Sequence, residues 1–164
     1  MTVHAIEKDD IRDLYRELIL DHARAPRHFG RLDNATHWAQ GINPLCGDKL
    51  TLYLNVDADN IIRATGFEGS GCAISMASAS LLTDTVQGLP VDKAEAIFSA
   101  VTGRLTSAAS GGEASVKAGL EAPLSKLHAL DGVREFPSRV KCATLAWQAL
   151  HSALSNTAAP ATTE

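Results

Sequence analysis

A chain of 164 residues, 45% hydrophobic and 21% charged, can bury one globular core and is too apolar for a disordered polymer. Its formal net charge of −4 argues against a general nucleic-acid binder, because phosphate recognition needs a concentrated positive field. No apolar run approaches the roughly 20 residues that span a bilayer, and Glu7, Asp9 and Asp10 stand where a secretory signal would be apolar. Composition therefore predicts a cytoplasmic protein with neither a nucleic-acid nor a membrane partner.

Asp9 or Asp10 is placed to cap a helix starting near Ile11, since an aspartate oxygen accepts from the free amides of a first turn. Ile11, Leu14, Tyr15, Leu18 and Ile19 recur at helical spacing and give it one apolar face, and Pro26 ends it. Arg24, Arg27, His28 and Arg31 follow as a basic cluster, read either as a solvated helix end or as a docking point for an acidic surface. The period then changes to two. Leu50, Leu52, Leu54 and Val56 alternate with polar residues as a half-buried strand, Asp57 to Asn60 turn the chain, and residues 61–67 return antiparallel. The segment before Asn43-Pro44 supplies a third strand, so that Cys46 falls in the loop between the first two.

Gly69-Ser70-Gly71 breaks the last strand, and a helix is expected from about Cys72 to Gly88, kept narrow by Ser75, Ser78 and Ser80. A further helix is expected from Val91 to Leu105, and a short one around Leu124 to Leu130. Gly132 and Pro137 read as breaks before a terminal helix from Val140 to Leu154. The organisation predicted is a single domain over residues 1–155, with a surface insertion at 103–121 and a disordered tail at 156–164.

Three cysteines are an odd number, and disulfides are uncommon in the cytosol, so a disulfide framework is not expected. One alternative is that Cys46, Cys72 and Cys142 are merely small buried hydrophobes. Their contexts suggest more. Cys72 and Cys142 are each predicted in the first turn of a helix, where free amides and the macrodipole favour a thiolate. Asp48 follows Cys46 by two residues, within reach of a common point. Three thiolates and a carboxylate make a tetrahedral zinc set, although no pair of Cys-x-x-Cys knuckles is present. A lone nucleophilic cysteine with a histidine base stays open, but no histidine lies near a cysteine in sequence. His22, His37 and His151 read as structural or exposed.

Five segments carry a resemblance. Leu14-Tyr15-Arg16-Glu17-Leu18-Ile19-Leu20-Asp21-His22, Pro26-Arg27-His28-Phe29-Gly30, Asn43-Pro44-Leu45-Cys46-Gly47-Asp48, Gly69-Ser70-Gly71-Cys72-Ala73-Ile74-Ser75 and Arg139-Val140-Lys141-Cys142-Ala143-Thr144-Leu145-Ala146-Trp147 resemble, in order, the NifU/IscU superfamily of iron–sulfur assembly proteins. The resemblance implies an α+β fold: a small three-stranded antiparallel sheet covered on one face by helices. IscU-type scaffolds carry histidine just before the third cysteine and a Leu-Pro-Pro-Val-Lys motif upstream. Here Lys141 takes the histidine position, Phe136-Pro137-Ser138-Arg139 replaces the motif, and residues 103–121 are extra. These departures resemble the SufU-type branch.

That branch implies zinc held by Cys46, Asp48, Cys72 and Cys142. It implies sulfur transfer onto Cys46 from a pyridoxal-phosphate-dependent SUF-type cysteine desulfurase, and onward delivery to a SUF scaffold. Arg139 and Lys141 would contact the partner or its persulfide. The alternative carried with it is a scaffold on which an iron–sulfur cluster is assembled and handed on.

Overall fold

The structure is a computed structural model, and it describes residues 8–44, 47–106, 126–155 and 161–162. Helix α1 (Lys8–Arg24) is followed by strands β1 (His37–Asn43), β2 (Asp48–Val56) and β3 (Ile62–Ser70). Helices α2 (Ala73–Val86) and α3 (Val91–Thr106) come next, then a 3₁₀ segment (Lys126–Glu135), helix α4 (Pro137–Leu154) and the two-residue strand β4 (Ala161–Thr162). The sheet order is β3-β2-β1-β4, with β1, β2 and β3 antiparallel and β4 parallel to β1.

The expected three-stranded antiparallel sheet is present, with α2 and α4 on its inner face. The alternation read in β2 is borne out: Asp48, Leu50, Leu52 and Leu54 are buried, and Lys49, Thr51 and Tyr53 are not. Ala39, Gly41 and Asn43 are the inward residues of β1. A Cβ on Gly41 would sit 3.1 Å from Leu145 Cδ1, so the missing side chain lets α4 lie close on the sheet. Trp147 of α4, Phe67 of β3 and Leu81 and Leu82 of α2 complete a core in which each is fully buried.

Helix α2 is held on both sides by hydroxyls. Ser80 Oγ meets His22 Nδ1 of α1 at 2.7 Å and accepts from the Arg27 amide at 2.8 Å. On the other side, Ser78 Oγ donates to the Ala143 carbonyl of α4 at 2.5 Å. Small side chains bring helices close, and each buried hydroxyl then needs a partner, because an unsatisfied one costs about 1–3 kcal/mol. His22 is structural, as expected. His151 is exposed, stacks on Phe98 and contacts Glu95 at 3.0 Å.

Both sheet edges are covered. The backbone of residues 28–30 pairs with β3 through Gly30 N–H to Phe67 O (2.7 Å) and Phe67 N–H to His28 O (3.1 Å), while β4 lies along β1 at Gly41 and Ile42. The basic cluster is partly absorbed here: Arg27 pairs with Asp21 at 2.6 Å, and this bond holds the Asp21 carboxyl below its usual range.

Four expectations shift. α1 begins at Lys8, so Asp9 and Asp10 lie inside the helix rather than capping it; the side chains of Ile11, Leu14 and Tyr15 are outside the described residues. α4 begins at Pro137 and not Val140, because proline lacks only an amide that a first turn leaves free. Ala161 and Thr162, within the tail expected at 156–164, pair in parallel with Gly41 and Ile42 of β1, and the other residues of that tail lie outside the described residues. Residues 103–106 continue α3, and the remainder of the expected insertion, 107–121, lies outside the described residues.

Gly69 places the site's approach. Its φ is +142°, and a Cβ there would lie 2.2 Å from the Lys49 carbonyl oxygen. Gly69→Ala should therefore lose more than about 2 kcal/mol of stability in urea unfolding, through backbone strain and a main-chain clash. Asp57, which accepts from the Ile61 and Asp59 amides (3.0 and 2.9 Å) and from Arg63 Nε (2.5 Å), sets the β2–β3 turn. The hydrogen bond from the Ile61 amide, then that from Arg63, holds the Asp57 carboxyl below the usual aspartate range. The stabilisation from this depressed carboxyl is full above its unfolded value and lost as pH falls through the folded one. Asp57→Ala should thus be less stable than wild type at pH 7, and the gap should narrow on acidification in paired thermal melts.

Candidate metal centre

Three elements end at one point. Asn43 closes β1 and Asp48 opens β2 directly opposite it, both inward on the sheet face that carries the core. β3 ends at Ser70, and Cys72 is the N-cap of α2. Cys142 lies in the second turn of α4, fully buried. One ligand atom from each of Asp48, Cys72 and Cys142 falls within 4.8 Å of the others, the one such group of three among the described residues.

The Asp48 carboxylate is 3% exposed, and both its oxygens are bonded. Oδ1 accepts from the Cys72 amide at 3.0 Å, and Oδ2 accepts from Ser75 Oγ at 2.6 Å. A buried carboxylate without donors would be strongly disfavoured, so this pairing is what lets Asp48 sit inward. The Cys72 amide is a free donor of the first turn of α2, and Cys72 itself makes no side-chain cap. Its thiol, half-buried, lies 3.8 Å from Asp48 Oδ2 and 3.7 Å from Ser75 Oγ. Gly71 leaves the room: a Cβ there would stand 3.1 Å from Asp48 Oδ1 and 3.1 Å from Ser75 Cβ.

The reading of Cys142 as a first-turn residue is corrected. With α4 starting at Pro137, Cys142 is one turn deeper, beyond the reach of the free amides. Its sulfur instead faces Asn43 Nδ2 at 4.0 Å and the Ser138 carbonyl at 3.6 Å. The Asn43 amide is the neighbouring donor suited to a thiolate there.

The donor set suits a tetrahedral divalent cation of the zinc kind. Bond lengths near 2.3 Å to sulfur and 2.1 Å to oxygen put the two ligand atoms about 3.6 Å apart at a tetrahedral angle, against the observed 3.8 Å between Cys72 Sγ and Asp48 Oδ2. The fourth residue of the expected set, Cys46, lies outside the described residues. Arg139 is exposed and Lys141 half-buried, both in the first turns of α4.

Two residues at this site escaped the sequence reading. Asn43 was read only as part of a turn, yet it shares the inward parity of Ala39 and Gly41 on β1. Ser75 was read as a small packing residue. Its spacing of three from Cys72, which puts both on one helix face, was the available signal.

Comparison with known proteins gives the family of the chain. The NifU-like N-terminal domain family matches residues 14–126. An iron–sulfur cluster assembly scaffold protein IscU of Thermotoga maritima is 38% identical over 147 residues, covering 90% of this chain and 96% of that protein. A zinc-dependent sulfurtransferase SufU of Bacillus subtilis is 38% identical over 137 residues, covering 84% of this chain and 86% of that one. Among solved structures, a protein from Fervidobacterium islandicum AW-1, described as a candidate SUF-system scaffold, superposes with a TM-score of 0.73 at 30% identity, covering 84% of this chain and 94% of that chain. A NifU-like protein from Brucella abortus, at 23% identity and a TM-score of 0.73 over 90% of this chain and 99% of that one, shares the fold. The chain belongs to the NifU/IscU-like family of iron–sulfur cluster assembly proteins.

Proposed function

We propose that the protein is a zinc-dependent sulfur acceptor and carrier in iron–sulfur cluster assembly, with Cys46 as the accepting residue. The observation that carries this reading is the convergence of Asp48, Cys72 and Cys142 on one point. Cys46 stands two positions from Asp48 in the chain. The name of the Bacillus subtilis relative, a zinc-dependent sulfurtransferase, supports the same metal and the same reaction. Zinc at Cys46, Asp48, Cys72 and Cys142 would damp the charge of the thiolates and tie three chain segments together.

The sulfur donor is a pyridoxal-phosphate-dependent SUF-type cysteine desulfurase carrying a persulfide. The Cys46 thiolate attacks the outer sulfur of that persulfide, the bond to the desulfurase sulfur breaks, and the desulfurase thiolate leaves. One S–S bond forms for one broken, so no outside oxidant or reductant is needed. Cys72 at the α2 cap and Cys142 inside α4 are anchored in regular structure and keep their places during the exchange. Arg139 and Lys141 offer positive charge beside Cys142 for the anionic persulfide or for the partner surface. A downstream SUF scaffold then receives the sulfur. The setting is cytoplasmic, where thiols stay reduced, and no helix among the described residues is long and apolar enough to cross a membrane.

A second reading has its own support. The Thermotoga maritima relative, as similar in sequence, is named a scaffold, and the same donors could hold a cluster as cargo. Lys141, standing where IscU-type scaffolds carry histidine, favours transfer over scaffolding.

Purified protein should hold one zinc per chain by elemental analysis, and stripping it with a chelator should lower the midpoint of thermal unfolding. After incubation with a SUF-type desulfurase and cysteine, mass spectrometry should find the persulfide on Cys46. Cys46→Ala should abolish that transfer and the stimulation of the desulfurase; undiminished stimulation by this variant would remove Cys46 as acceptor. Anaerobic reconstitution with iron and sulfide should yield no stable chromophore that passes to an apo-acceptor; one that did would favour the scaffold.

A further inference from the structure

Ser75 stands at the hub of the site. Its Oγ is 2.6 Å from Asp48 Oδ2, 3.3 Å from the Cys142 carbonyl oxygen and 3.7 Å from Cys72 Sγ, and the residue is 2% exposed. One buried hydroxyl thus touches all three residues that converge here. It has a single proton to donate and two oxygen acceptors within reach, the nearer being the carboxylate. The Cys72 amide holds the other carboxylate oxygen, so the two donors together fix the plane and direction of Asp48.

We propose that Ser75 is a positioning residue of the metal centre: its hydroxyl aims the Asp48 carboxylate at the point shared with Cys72 and Cys142. The Cys142 carbonyl is the second acceptor in this arrangement. A carboxylate oxygen has two lone pairs, so Asp48 Oδ2 can keep the Ser75 hydrogen bond on one and offer the other to a cation, and the hydroxyl stays partnered with the metal bound. Ordering the oxygen ligand therefore costs no orphaned group on either side. The proposal rests on the zinc reading above and adds to it the residue that sets the oxygen ligand.

Groups that orient metal ligands from behind typically carry 10- to 100-fold in metal affinity. The test is zinc affinity of the full chain by competition with a chromophoric chelator, alongside the visible absorption of the cobalt-substituted protein. Ser75→Ala should weaken zinc binding by roughly 10- to 100-fold and change the cobalt ligand-field bands. Ser78→Ala is the control, because Ser78 is equally buried on α2 but donates to Ala143 O, away from the donor atoms. It should lower thermal stability and leave both metal readouts at wild-type values.

The effect of Ser75→Ala should also vanish in an Asp48→Ala background, where no carboxylate remains to be aimed. Zinc affinity within twofold of wild type with an unchanged cobalt spectrum would overturn the Ser75 assignment alone. So would an equal loss in the Asp48→Ala background, or a Ser75→Ala chain that fails to fold while Ser78→Ala folds. Wild-type protein that takes up no zinc would overturn the metal reading itself, and this proposal with it.

Discussion

The Asp48 carboxylate is the interaction on which the rest of the site depends. It is buried at the first residue of β2 and is satisfied by an amide at the cap of α2 and a hydroxyl one turn into the same helix. Without those donors a carboxylate would not stay inward on a sheet face that is otherwise Leu50, Leu52 and Leu54. With them, the sheet and α2 are locked in a register that leaves the Cys72 sulfur beside the carboxylate. Ser75 extends the link to the α4 backbone at Cys142. A few bonds thus place three residues from distant parts of the chain.

The packing behind the site serves the same end. α2 can pass between α1 and α4 because its buried residues are serine, alanine and threonine at most points of contact, with Leu81 and Leu82 filling the core. Each buried serine bonds across to a neighbour, so close approach brings orientation as well as van der Waals contact. Glycines do the corresponding work in the sheet. Gly41 admits α4, Gly69 lets β3 cross close to Lys49, and Gly71 leaves the carboxylate its space. A side chain at Gly71 would press on the Asp48 carboxylate, one at Gly69 on the Lys49 backbone, and one at Gly41 on Leu145 of the core.

Much of this was legible in the sequence, for physical reasons that differ by residue. β2 announced itself because a strand half-buried on one face must alternate, and it does from Leu50 to Leu54. α2 and α3 followed from glycine punctuation at Gly71 and Gly88. The start of α4 was misplaced because proline was weighed as a breaker, when in a first turn it is tolerated. That error carried a chemical consequence, since it credited Cys142 with helix-terminus amides that it does not meet. The pairing of Ala161 and Thr162 with β1 could not be read, because two small residues show no period.

The candidate site divides in the same way. Cys72 and Asp48 were identified by the turns that carry them and by resemblance, and Cys142 by resemblance more than by its local context. Asn43 and Ser75 were passed over because asparagine before proline, and serine in a small-residue helix, both have sufficient local explanations. Only the three-dimensional meeting of the chain segments turned them into partners of a sulfur and a carboxylate.

The most direct test of the metal centre is X-ray absorption at the zinc edge of the purified protein. The account predicts a four-coordinate first shell of three sulfurs near 2.3 Å and one oxygen at about 2.0–2.2 Å. A shell of nitrogen and oxygen alone, or a sulfur count unchanged in Cys142→Ser, would contradict it.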